Sequence, residues 1–147
     1  MKSVLLVGLA ALLAGSAAQS QVNPAALKWG PAPPGLPKGA QATVLSGNPD
    51  KAGLFTIRLR FPAGYAVAPH HHPTDELVTV IQGRVLLGMG SKAVRAKAAS
   101  LVQGGYAVAA AGMNHYVFSP TAGTVQITAQ GPFKIVYVNP KDDPRNK

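Results

Sequence analysis

Apolar and polar residues alternate most clearly from Leu54 to Phe61, where Phe55, Ile57, Leu59 and Phe61 interleave with Thr56, Arg58 and Arg60. A period of two puts each set on its own face, so this run predicts a half-buried strand with Arg58 and Arg60 together on the solvated side. Shorter apolar runs follow at Leu77 to Ile81, Val85 to Met89, Leu101-Val102, Tyr106 to Ala109, Tyr116 to Phe118, Thr124 to Thr128 and Phe133 to Val138. Turn signals such as Gln82-Gly83 and Gln103-Gly104-Gly105 lie between them. Strands at this spacing predict an all-β sandwich or barrel, with a single core over residues 41–138. Ser91 to Ser100 holds four alanines and is read as a loop or edge strand.

The two ends are patterned differently. Met1-Lys2 is followed by an apolar stretch from Val4 to Leu13 and then by small residues, Ala14 to Ala18. That order predicts a cleavable signal peptide over residues 1–20 and a periplasmic or secreted protein. The apolar stretch is too short to span a bilayer comfortably, so no membrane association is expected once the leader is removed. Val22 to Gly39 carries five prolines, which resist both helix and central strand. Residues 21–40 are therefore expected to form an extended arm, with Trp29 packing on the domain or on a neighbouring subunit. Residues 139–147 are polar and are read as a tail.

Composition narrows the function classes. The 147 residues contain no cysteine, which excludes thiolate ligands, thiol catalysis and disulfides. Net charge is +9, but the basic residues are scattered and no aromatic platform interleaves them. Nucleic acid is not expected as a partner; a small-molecule ligand is.

The candidate chemistry is concentrated in one place. The chain has four histidines and five acidic residues, and His70, His72 and Glu76 fall within seven positions. Two histidines at i and i+2 on a strand point to the same side, so their ring nitrogens can converge on one metal ion while His71 faces away. Pro73-Thr74-Asp75 reads as a short turn, with Asp75 a turn residue, that brings Glu76 back onto the same ion. A fourth ligand has to come from farther along the chain, and the remaining histidine is His115.

Gly64, His70, His72, Glu76 and Gly83 stand at the spacings of the first cupin motif. After 20 further residues, Gly104, Gly112 and His115 follow the second, and the pair spans 56 residues. Ala110 and Ser119 depart from it, standing where proline and asparagine are usual. The chain resembles the cupin superfamily over roughly residues 40–138, and stretches within residues 126–145 resemble small exported bacterial cupins. The resemblance implies a jelly-roll (double-stranded β-helix) barrel, commonly a homodimer. It also implies one divalent transition metal per chain, Fe, Mn, Ni, Zn or Cu, held by His70, His72, Glu76 and His115.

A three-histidine, one-carboxylate shell leaves open positions for substrate or dioxygen. The expectation is a metal-dependent, oxygenase-like enzyme (a dioxygenase or other oxidoreductase) acting on a small enol, hydroxy-carbonyl or carboxylate compound. Glu76 doubles as a catalytic base, as the resemblance to flavonol-cleaving cupins suggests. The alternative is a non-catalytic periplasmic protein that binds a metal or a small ligand. Gln126, Met113 and Tyr116 are candidates to line the site, although packing is the better explanation of each.

Overall fold

A computed structural model describes residues 21–147; the expected signal peptide lies outside the described residues. Among the described residues eleven strands run in chain order: β1 (Gly30–Pro31), β2 (Gln41–Ser46), β3 (Gly53–Phe61), β4 (Tyr65–His71), β5 (Glu76–Gln82), β6 (Arg84–Met89), β7 (Ala99–Val102), β8 (Tyr106–Ala109), β9 (His115–Ser119), β10 (Gly123–Gly131) and β11 (Val136–Tyr137). They form two antiparallel sheets, ordered β1-β2-β3-β10-β5-β8 and β11-β4-β9-β6-β7. The fold is the expected all-β jelly-roll barrel.

The alternation in β3 sets the inner wall. Phe55, Ile57 and Leu59 stand opposite Ala129, Ile127 and Val125 of β10, and all six are buried. On the outer face of the same ladder Arg58 donates from Nε to Gln126 Oε1 at 3.1 Å, and the Thr56 and Thr128 hydroxyls lie 3.0 Å apart. Arg60 sits under Trp29, its guanidinium carbon 4.0 Å from the ring centroid, so the arm's one large aromatic packs on the barrel as a cation–π pair.

The structure differs from the pattern-based reading at three places. β2 was not expected, because Gln41 to Ser46 lacks a long apolar run; its pairing with β3 supplies the missing signal. Phe133 to Val138 reads as a strand but pairs only at Val136–Tyr137, where β11 meets His71 and His70 of β4. The rest is irregular, and Phe133, Lys134 and Ile135 line the barrel cavity. Ser91 to Ser100 contains a 3-10 turn, Arg95–Lys97, before β7 begins.

The ends are anchored. Tyr65 donates to the Pro37 carbonyl at 2.6 Å and Tyr137 to the Gly35 carbonyl at 2.8 Å, which holds the proline-rich arm against the barrel. Residues 139–147 form two 3-10 turns, Pro140–Asp142 and Pro144–Asn146. Arg145 grips the Asp143 carboxylate at 2.6 and 2.8 Å and donates to the Ile135 carbonyl at 2.9 Å.

Gly64 and Gly83, which frame the histidine-bearing hairpin, both adopt positive φ, 79° and 78°. A side chain at either position strains the backbone, by about 1 kcal/mol or more. At Gly83 an added Cβ would also come within 2.5 Å of the Ala122 carbonyl oxygen, whereas at Gly64 it meets nothing within 4 Å. Gly64→Ala is therefore expected to lower unfolding stability by about 1 kcal/mol, and Gly83→Ala by roughly 2 to 3 kcal/mol or more. Urea unfolding of both variants measures the difference, and equal losses would contradict it.

Candidate metal centre

The site is built where the two sheets meet at one end of the barrel. His70 lies on β4 directly opposite His115 on β9, and Glu76 opens β5. His72 follows β4 immediately, continuing its alternation, so His70 and His72 are both buried while His71 turns outward. His71 instead lies 3.1 Å from Asn114 Oδ1, whose amide donates to Ser91.

Two long-range bonds bring the motifs together. The Ala111 N–H donates to Asp75 Oδ1 at 2.7 Å, and the Gly112 N–H donates to the His72 carbonyl at 2.8 Å. Asp75 thus does more than shape a turn: it ties the loop before β5 to the loop before β9. The positions that depart from the cupin pattern are accommodated here. Ala110 accepts from the Met113 N–H at 2.9 Å, closing a turn that uses Gly112 at φ 72° in place of proline's stiffness. Ser119 is fully buried, and its hydroxyl donates to the Thr121 carbonyl at 2.8 Å.

The three buried imidazoles share one hydrogen-bonding scheme. His70 Nδ1 lies 2.8 Å from the Ala68 carbonyl, His72 Nδ1 2.7 Å from the Lys134 carbonyl and His115 Nδ1 2.9 Å from the Met113 carbonyl. A carbonyl can only accept, so each Nδ1 carries the proton and each neutral ring keeps its lone pair on Nε2. Ligand atoms of His70, His72 and His115 all lie within 4.8 Å of one another, and the three are positioned to hold a metal ion. Glu76 borders this trio: its Oε2 is 3.6 Å from His72 Nε2 and 3.2 Å from His115 Nε2. The His72 contact is too long for a hydrogen bond and the His115 contact is an ion pair when that ring is protonated; on the neutral rings both Nε2 atoms are buried without a hydrogen-bond partner. Buried polar atoms left in this way are costly unless something binds them. Three imidazole lone pairs beside a carboxylate form a donor set suited to a divalent transition metal.

Electrostatics agree with this geometry. Burial, helped by the neighbouring His115, pushes His70 down to about 3, so its lone pair is free across the ordinary pH range. Burial also lowers His72. Burial pushes the Glu76 carboxyl up, but His115 and His72 outweigh it and hold the group below its usual range. His115 moves the other way: burial lowers it, and the Glu76 carboxylate more than compensates.

Other sequence candidates lie elsewhere. Gln126 faces outward to Arg58. Tyr116 is buried and donates to the Val94 carbonyl at 3.0 Å. Met113 contributes only its carbonyl, its side chain being exposed. Phe133 and Lys134 were not expected at the site. The Phe133 ring stacks on His72, with centroids 4.3 Å apart and planes 19° apart, and it meets Phe55 edge-on. No periodicity marks such residues, because they lie on irregular backbone.

The cluster lines a cavity of about 1050 Å³, whose wall also includes inward residues of both sheets, the proline-rich arm and Arg145.

Solved structures share this architecture. A candidate acetylacetone dioxygenase from Methylibium petroleiphilum PM1 superposes with a TM-score of 0.66 at 20% identity, covering 96% of this chain and 90% of its own. The polyketide cyclase RemF from Streptomyces resistomycificus gives 0.70 at 16% identity, with 88% and 92% covered. An RmlC-like cupin from Shewanella frigidimarina NCIMB 400 gives 0.59 at 15% identity, with 77% and 91% covered. Identities this low speak for the fold alone. No curated protein matches the chain in sequence. The family model of the ChrR cupin-like domain matches residues 17–134, and with its jelly-roll barrel and its histidine trio the chain belongs to that cupin family.

Proposed function

We propose that this protein is an exported, metal-dependent enzyme of the oxygenase type, acting on a small enol, hydroxy-carbonyl or carboxylate compound. The observation that carries the reading is the convergence of three Nε2 lone pairs and the Glu76 carboxylate on the wall of a large cavity. His70, His72, His115 and Glu76 would hold one divalent ion. When bound, such an ion supplies Lewis acidity and open coordination positions.

The chain's own residues have separate tasks. The carbonyls of Ala68, Lys134 and Met113 orient the imidazoles, and Phe133 fixes the plane of His72. Glu76 is held ionised by its histidine neighbours, so it can accept a proton from a substrate hydroxyl or enol at neutral pH. The barrel wall keeps bulk water from the reacting face. Export is supported by the leader-like residues 1–20, and homodimerisation by the likeness to other cupins.

Three measurements test the proposal. His72→Ala is expected to weaken metal binding at least about a hundred-fold while circular dichroism stays unchanged; a full metal complement in that variant would overturn the site. Elemental analysis of protein from its native compartment names the ion. Oxygen uptake with enols, β-diketones and hydroxy-carbonyl compounds then tests turnover, and a metal-loaded protein that turns over none of them favours the non-catalytic binding reading instead.

The pH dependence of metal uptake follows from the shifts. His115 is raised, so near pH 6.5 it is mostly protonated and must lose that proton to bind a metal. His70, pushed down to about 3, loses none. Uptake is therefore expected to weaken as pH falls through the raised His115 value, with more protons released per ion below that value than above it. Calorimetry in buffers of different ionisation enthalpy counts these protons.

A further inference from the structure

The inference concerns the cavity wall and rests on the reading above, that a metal occupies the histidine cluster. Apart from that cluster, the strands line the cavity with inward residues of both sheets, including Ile57, Leu59, Val78, Val85, Val125 and Ile127. Beyond the metal-site cluster, the charged lining residues Lys28, Asp50, Lys134 and Arg145 all lie outside the strands, on the arm, on the loop before β3, on the segment after β10 and in the last 3-10 turn. Among the lining residues, Thr43 is the one other polar side chain, and it stands in register with the outward-facing Arg58. The wall therefore offers no side-chain donor or acceptor along its length. A hydroxyl carried into it gives up water and gains no partner, whereas a methylene gains what burial of apolar surface gives.

We infer that the substrate is an amphiphile: one chelating oxygen head attached to an apolar chain or ring body that fills the barrel. Compounds polar along their whole length, such as sugars and short dicarboxylates, fit the metal end only. The cavity of about 1050 Å³ is far larger than a two- or three-carbon acid needs. The arm completes the binding surface: Leu36 is partly buried against the core, and the Tyr65 and Tyr137 hydroxyls pin the chain beside it.

The test uses hydroxamates, which bring a constant chelating head to a metal, and reads binding rather than turnover. Calorimetry on the zinc-loaded full chain compares acetohydroxamate with butano- and hexanohydroxamate. Each added methylene is expected to tighten binding about four-fold, which amounts to roughly two hundred-fold over four methylenes. Gluconohydroxamate, equal in length to the hexano compound but hydroxylated along its chain, is expected to bind no better than acetohydroxamate. A flat series, or gluconohydroxamate binding as tightly as hexanohydroxamate, would overturn the amphiphile inference while leaving the metal centre standing. Metal content is measured in the same sample. Should no metal be taken up, the functional reading fails separately, and displacement of the apolar dye 1-N-phenylnaphthylamine by alkyl carboxylates of rising length still tests the wall. Chain-length-dependent displacement would support it, and length-independent displacement, or no dye binding at all, would overturn it.

Discussion

The site depends on three hydrogen bonds from imidazole Nδ1–H groups to backbone carbonyls. Each settles a tautomer, and together they aim three lone pairs at one region. Two of them are local, because Ala68 and Met113 each lie two residues before the histidine they hold. The third is not: His72 is held by Lys134, 62 residues away. His70 and His115 therefore keep their orientation as long as their own strands persist. His72 keeps its orientation only while the segment after β10 stays seated, which makes the packing of Phe133 on that ring part of the metal site's geometry.

Burying four titratable groups together is unfavourable without compensation. The protein offsets some of the cost within the cluster, since Glu76 and His115 stabilise each other's charged forms. It does not offset all of it, because the His72 Nε2 atom, 3.6 Å from Glu76 Oε2, remains without a hydrogen-bond partner. A fold that retains this arrangement gains from a bound cation, and binding energy at the site then contributes to the stability of the barrel. The motif-to-motif bonds, Asp75 to Ala111 and His72 to Gly112, keep the loops that lead into β5 and β9 at a fixed separation before any ion arrives.

Much of this was legible in the sequence, for reasons that also explain what was not. The period of two in β3 named its buried face correctly, and the i, i+2 rule placed His70 and His72 inside and His71 outside. These are properties of regular backbone, where one residue's direction predicts the next. β2 escaped notice because its burial comes from the arm and from β3 rather than from its own residues. Phe133 and Lys134 escaped for a related reason. They follow a cis proline on irregular chain, and their contribution is a ring face and a main-chain oxygen, neither of which residue type or spacing encodes. Gln126 was misplaced by its strand neighbours: it alternates with Val125 and Ile127, both inward, and so must face out.

The division between a polar end and an apolar wall has an energetic consequence. Charges at the histidine cluster act in a low-dielectric surrounding, where interactions with a bound ion and its ligand are stronger than in water. The same wall contributes binding energy remote from the reacting atoms, which can be used to hold a chelating group in register against the ion. Affinity for the body of a ligand and reactivity at its head are thereby assigned to different residues. The aliphatic wall can change the molecules accepted without disturbing His70, His72, His115 or Glu76. That separation is consistent with one fold hosting different chemistries through its site residues.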